Sequence, residues 1–145
     1  LTFHKNQRPD YTMMTMMTFR SESPETCGVV EIDSHGVVSG YHEKVRHPPG
    51  NLANAAVYLL EPEIIQWLIE NPNKTDFSTQ VIPEFLGYIA TWENRRVHRD
   101  IGSIDSLLAA QSDPQPELCW LESDEWQRQF KNNEIHQKLH SLTLP

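Results

Sequence analysis

Apolar and polar positions along the chain divide it into short strands and a few helices. Residues 12–19 are rich in Met and Thr and close on Phe19, with Pro9 and Pro24 outside, which favours a strand over a helix. Residues 27–32 (CGVVEI) form a β-branched run, 33–36 (DSHG) supply turn chemistry and 37–43 (VVSGYHE) return, so together they predict a β-hairpin. Residues 46–50 contain two prolines and so lack two backbone donors, which makes them a loop. Residues 54–60 (NAAVYLL) are nearly all apolar and predict a strand covered on both faces.

A helix is expected from Pro62 to Glu70, with proline in its first turn and Ile64, Ile65, Leu68 and Ile69 on one face. A second helical stretch starts at residues 76–78 (DFS) and ends at Gly87. Residues 88–92 and 96–101 predict two strands around a Glu93-Asn94 corner, and Ser103 caps a last core helix, IDSLLAAQ. Prolines at 114 and 116 then separate a domain, residues 1–112, from a polar tail, 113–145. The tail reads as helical over 124–139, with Trp126 and Phe130 on one face. The opening Leu1-Thr-Phe-His-Lys reads as the end of a helix, as though the chain were cut there. The order is that of an α/β fold with mixed strand pairing. A strand covered on both faces needs more layers than these helices supply, so the fold reads as part of a larger sheet.

With 145 residues and 16.8 kDa, the chain can bury a core without a disulfide or metal staple. Its net charge of −8 repels phosphate backbones, which excludes general nucleic-acid binding. The longest apolar run, 53–60, contains Asn54 and is too short to cross a bilayer, so no membrane association is expected. No signal peptide is visible. Two cysteines, Cys27 and Cys119, give neither a disulfide framework nor metal-ligand spacing, and they read as reduced thiols of a cytoplasmic protein.

Candidate chemistry is sparse. There is no G-x-G-x-x-G, P-loop, H-E-x-x-H or G-x-S-x-G motif and no zinc spacing. Glu43-Lys44 at a strand end can grip a sugar phosphate, the acid accepting from hydroxyls and the ammonium meeting phosphate, or be a solvated pair. Asn54, entering an apolar strand, can read a ligand hydroxyl or tie down the preceding loop. Asp100, before a Gly turn and a helix start, can hold Mg²⁺ against phosphate or simply cap the turn. His42 and His98 read as structural, and Met13, Met14, Met16 and Met17 as core filling on a strand.

Taken in order, these features form a longer pattern: C-G-V-V-E-I-D…G-V-V…Y-H-E-K-V…P-P-G-N-L-A-N-A-A-V-Y-L-L-E-P-E, then D-F-S-T-Q-V-I-P-E-F-L-G, then H-R-D-I-G-S-I-D-S-L-L-A-A. Over residues 1–111 this resembles the second half of the sugar-phosphate nucleotidyltransferases, most closely the bacterial mannose-1-phosphate and heptose-1-phosphate guanylyltransferase-like members. The resemblance implies a partial nucleotide-diphospho-sugar transferase (Rossmann-like) fold, a mixed sheet with flanking helices. It implies Mg²⁺ as cofactor, and sugar 1-phosphate and nucleoside triphosphate as partners. It places Gly28 where a glycine lets the sugar approach the backbone, Glu43 on sugar hydroxyls, Lys44 at the sugar phosphate, Asn54 at the sugar pocket and Asp100 on the metal. The family's Gly-rich nucleotide loop and first metal-binding aspartate have no counterpart here. Pairing with that N-terminal half, or homo-oligomerisation, is therefore expected, and the chain alone should not turn over. The alternative is a non-catalytic sugar-phosphate-binding, regulatory or assembly module. Two positions depart from the pattern. Val45 stands where proline often follows Glu-Lys, and Ala56 stands where many members have glycine.

Overall fold

Five strands, β1 (Met14–Arg20), β2 (Gly28–Ile32), β3 (Val38–Glu43), β4 (Leu52–Leu60) and β5 (Ile89–Glu93), make one sheet in the order β3-β2-β4-β1-β5. The coordinates are a computed structural model, which describes residues 1–114 together with Gln129, Asn133 and Glu134. The chain divides into two units, Leu1–Ala110 and Gln111–Pro145, and every element below belongs to the first. Of the helix expected over 124–139 only Gln129, Asn133 and Glu134 are described, and the rest lies outside the described residues. β1 runs parallel to β5, and every other pairing is antiparallel, so the sheet is mixed. The turn end of the β2–β3 hairpin reaches β5, where Val37 bridges Ala90 and the Thr91 amide donates to the Gly36 carbonyl at 2.9 Å.

The methionine-rich strand does fill the core. Met14 and Met16 are fully buried and cluster with Val30, Val38, Leu52, Ile64, Val81, Ile82, Phe85 and Ile89. A clamp ties the first helix, α1 (Thr2–Asn6), to the far end of β4. His4 meets the Thr15 hydroxyl at 2.8 Å and Glu61 at 3.2 Å, while Arg8 donates to Glu61 and to the His4 and Thr12 carbonyls.

Helix α2 (Pro62–Glu70) has the expected bounds but a rotated buried face. Ile64 is buried, and Trp67 and Leu68 pack beside it, whereas Ile65 and Ile69 are exposed. At 3.6 residues per turn Trp67 and Leu68 flank Ile64 by about 60° and 40°, while Ile65 and Ile69 lie about 100° and 140° away. The edge-on contact of Trp67 with Phe85, at 5.1 Å between centroids, fixes the choice. The stretch after it is not an α-helix. A π-helical turn, Phe77–Val81, passes into a 3-10 turn, Ile82–Phe85. Pro83 has no N–H for the helical ladder and its ring crowds the preceding turn, so the ladder resets there.

Three further expectations are corrected. Residues 96–101 form no strand. Local bonds replace a ladder, with Asn94 Oδ1 accepting from the Arg96 amide and Asp100 Oδ1 from the Gly102 amide, both at 3.0 Å. The helix capped by Ser103, α3 (Ile104–Ala110), is present, but it buries none of its residues and exposes Ile104 and Leu108. Strand β4 is covered only in part, because Ala56 and Val57 are exposed. Its pairing with β1 jumps from Met16↔Tyr58 to Thr18↔Asn54, so residues 55–57 of β4 face a single residue, Met17. At the centre of this bulge Ala56 has φ +55°.

A left-handed alanine is strained by its Cβ, and glycine is not. Ala56→Gly should therefore stabilise the chain by about 1 kcal/mol, read as a higher urea midpoint at unchanged slope. A lower midpoint would mean that the bulge relaxes elsewhere. Two turns also carry an acid dependence. The Val37 amide foremost, with that of His35, holds the Asp33 carboxyl below its ordinary value of 3.8. The Thr79 amide does the same for Asp76. In this range the unfolded chain binds more protons, so their contribution is present above about pH 4 and is lost as pH falls further. The double variant Asp33→Asn, Asp76→Asn keeps acceptors in both turns and should lose less stability than the parent between about pH 5 and pH 3. Parallel pH profiles of the urea midpoint would contradict this.

Candidate functional site

Antiparallel register sets the first half of the site. Gly28, opening β2, pairs with Glu43, closing β3, so the mouth of the hairpin presents both together. Strand alternation then puts Tyr41 on the same face as Glu43. Lys44 follows with φ +49°, held there by its amide donating to the Cys27 carbonyl at 3.0 Å. Asn54 enters from β4, opposite Thr18 of β1. The segment after β5 returns past Phe19, where the His98 ring stacks at 4.3 Å, and brings Arg99, Asp100 and Ile101 alongside.

These groups line one cavity of about 480 Å³. Gly28, Glu43, Lys44, Asn54 and Asp100 all border it, joined by Phe19, Thr26, Cys27, Tyr41, Ser78 and His98. Among the described residues the non-glycines with positive φ are Lys44 and Ala56, and both line it. Strained backbone of this kind persists where surrounding structure over-determines it, and it concentrates at ligand sites.

Within the cavity the polar groups are largely spoken for. Tyr41 Oη donates to Glu43 Oε2 at 2.5 Å. Asn54 Nδ2 donates to Tyr58 Oη at 2.7 Å and Asn54 Oδ1 accepts from the Ala56 amide at 2.9 Å. Asn54 thus props the bulge and orients a tyrosine. The space over the Gly28 α-carbon is filled by the protein itself. A Cβ there would lie 2.0 Å from Tyr41 Oη and 2.6 Å from Glu43 Oε2. Burial first, then the bond to Glu43, pushes the Tyr41 hydroxyl up to about 12, and burial raises Tyr58 as well. Both phenols are neutral near pH 7, with Tyr41 Oη donating to Glu43 and Tyr58 Oη accepting from Asn54.

Lys44 is the mobile charge. Its side chain is 68% exposed, with Nζ 3.8 Å from Glu43 Oε1, so it can swing to an incoming anion. Asp100 borders the cavity, and one of its oxygens accepts the Gly102 amide. Among the described residues no three His, Cys, Asp or Glu side chains are grouped to hold a metal ion. One carboxylate is nonetheless the donor set that Mg²⁺ uses when substrate phosphates and water complete its shell. His42 pairs with Glu31 on the hairpin at 2.5 Å and does not line the cavity, whereas His98 does.

Sequence reasoning missed Tyr41, Tyr58 and Ser78. The i, i+2 relation of Tyr41 to Glu43 in a predicted strand was a usable signal. Tyr58 reaches Asn54 only across the bulge, which no periodicity reveals. A second groove, of about 330 Å³, runs between α1 and β4 past Met17, Val57 and Trp92. Two of its polar side chains, His4 and Thr15, bond each other. No helix among the described residues is long and apolar enough to cross a membrane.

The strand ends of the mixed sheet and the loop that follows thus gather a carboxylate, an ammonium and an amide around one cavity. Comparison with known proteins gives the family. The profile described as Nucleotidyl transferase matches residues 1–116, and the chain belongs to that family. The glucose-1-phosphate adenylyltransferase of Lachnospira eligens is 26% identical over 116 residues, covering 76% of this chain and 27% of that protein. That of Aliivibrio fischeri is 28% identical over 137 residues, covering 78% and 34%. A Bacillus anthracis protein provisionally named glucose-1-phosphate thymidylyltransferase, in complex with a sucrose, shares the fold at a TM-score of 0.60 and 17% identity. The alignment covers 79% of this chain and 48% of that one. The chain spans about a third of the length of the curated relatives it matches.

Gly28→Ala tests how tightly the hairpin mouth is built. The added methyl meets the rigid phenol of Tyr41, so we expect a loss of about 1–3 kcal/mol in urea denaturation and a shifted Tyr41 ring resonance. A variant matching the parent in both would show that the space is open.

Proposed function

We propose that the intact protein is a sugar-1-phosphate nucleotidyltransferase and that this chain builds the sugar-phosphate side of its site. The observation that carries the reading is the convergence of Gly28, Glu43, Lys44, Asn54 and Asp100, from four separate stretches of a family member, on one cavity. In the reaction an oxygen of the sugar 1-phosphate attacks the α-phosphorus of a nucleoside triphosphate. The bond to the β-phosphate oxygen breaks, pyrophosphate leaves and a nucleotide sugar forms. Such transfers depend on in-line positioning and charge neutralisation. Lys44 would hold the attacking phosphate as a point charge, and Glu43 would accept from a sugar hydroxyl. Asn54 would keep the bulge and Tyr58 in place behind the sugar. Asp100 would hold Mg²⁺, which when bound would offset repulsion between the two anionic substrates.

The chain contains no Gly-rich nucleotide loop, so the triphosphate would be held by residues outside it, and this chain alone would bind sugar phosphate without turning over. The first substrate pair to try is mannose or heptose 1-phosphate with GTP, on the sequence resemblance. Glucose 1-phosphate with ATP comes next, because it matches the names of the curated relatives. A cytoplasmic setting fits these substrates.

Lys44→Ala should weaken sugar 1-phosphate binding, measured by calorimetry, by about 10- to 100-fold, the worth of one charge-assisted contact. The same variant in the intact protein should lower pyrophosphate release at subsaturating sugar phosphate. Undiminished binding would remove Lys44 from the site. Binding without pyrophosphate release by the intact protein, across GTP, ATP and dTTP, would favour a non-catalytic sugar-phosphate-binding module instead.

A further inference from the structure

We propose that Tyr41 sets which sugar the cavity accepts, by occupying one oxygen of Glu43 so that the carboxylate offers a ligand a single acceptor beside Lys44. The inference rests on the functional reading above and deepens it. A free carboxylate has two oxygens and can take a vicinal pair of hydroxyls. Here Oε2 already accepts from Tyr41 Oη at 2.5 Å. The contact has little freedom. The backbone of Gly28 closes one side, where even a methyl group would overlap the phenol. Asn54 Nδ2 lies 3.4 Å from the same hydroxyl, and Ser78 also bonds it. The phenol keeps its proton well beyond neutral pH, so it remains a donor throughout the working range.

The oxygen that carries no such bond, and so is open to a ligand from either lone pair, is Oε1, 3.8 Å from Lys44 Nζ. With Lys44 in this position, the hydroxyl that Oε1 reads lies close to the anion that Lys44 holds. On a sugar 1-phosphate this is the hydroxyl on the carbon next to the phosphate-bearing one. A single fixed acceptor discriminates between the two configurations at that carbon, because the wrong epimer leaves Oε1 without its hydroxyl. A carboxylate with both oxygens free and able to rotate would discriminate less. Tyr41 touches no substrate in this account. It is a positioning residue acting through Glu43.

The test compares glucose 1-phosphate with mannose 1-phosphate, epimers at that carbon, by calorimetry on the parent and on Tyr41→Phe, which keeps the ring packed. We expect the parent to prefer one epimer by about tenfold or more, and the variant to bring the ratio within about threefold. Equal weakening of both sugars at an unchanged ratio would reduce Tyr41 to packing and overturn the proposal. A second measurement needs no ligand. In NMR of ring-labelled tyrosine, the Tyr41 ring should titrate at lower pH in Glu43→Gln than in the parent, because burial remains while the bond to the carboxylate is lost. If Tyr41 titrates at the same pH in the parent and in Glu43→Gln, the bond to Glu43 is absent and the proposal falls. If the parent binds neither sugar while Tyr41 titrates at lower pH in Glu43→Gln, the functional reading fails and the specificity role with it, leaving the hydrogen bond as a feature of the fold.

Discussion

The missing side chain of Gly28 is the constraint on which the candidate site depends. Because that α-carbon is bare, the phenol of Tyr41 and the carboxylate of Glu43 can lie over the start of β2. The register Gly28↔Glu43 brings the acid to that spot, and strand alternation brings the tyrosine. Asn54 then has a hydroxyl nearby on each side, and its carbonyl is free to support the left-handed Ala56. One backbone position therefore couples the hairpin to the bulge of β4 across the cavity.

The proposed anion site has to work within an acidic chain. The net charge of −8 disfavours anions over most of the surface. At the cavity, Lys44 is exposed on a left-handed turn, and its charge reaches as far as Asp76, whose carboxyl it helps hold ionised. Glu43 beside it is partly shielded by its bond to Tyr41. The result is a local cation on a flexible stem, set among neutral donors, with carboxylates at the rim.

Much of the fold was legible because the relevant signals are local. The hairpin, with Asp33 accepting from two turn amides, and α2, with Pro62 opening it, follow from turn and cap chemistry. What could not be read depends on partners distant in sequence. Ile65 and Ile69 looked like core because they are apolar, yet the helix rotates to put Trp67 against Phe85. Residues 96–101 looked like a strand because they are β-branched at intervals, yet Asn94 and Asp100 bond their own backbone. The candidate residues Gly28, Glu43, Lys44, Asn54 and Asp100 came from a family pattern rather than from periodicity. The tyrosines that bond two of them become visible only once β3 and β4 are set on either side of β2 and the bulge of β4 is in place.

The irregularity in β4 has a consequence for how this protein can vary. Between Met16↔Tyr58 and Thr18↔Asn54 the longer strand carries two surplus residues. An even surplus leaves the parity of the strand intact, so the side chains before and after the swelling keep their assigned sides of the sheet. A single insertion or deletion there would turn Leu52 and Asn54, or Tyr58 and Leu60, to the opposite side. Length drift among descendants of this sequence should therefore come in pairs at residues 55–57, and a lone gap at that point would mark a chain that no longer builds the cavity.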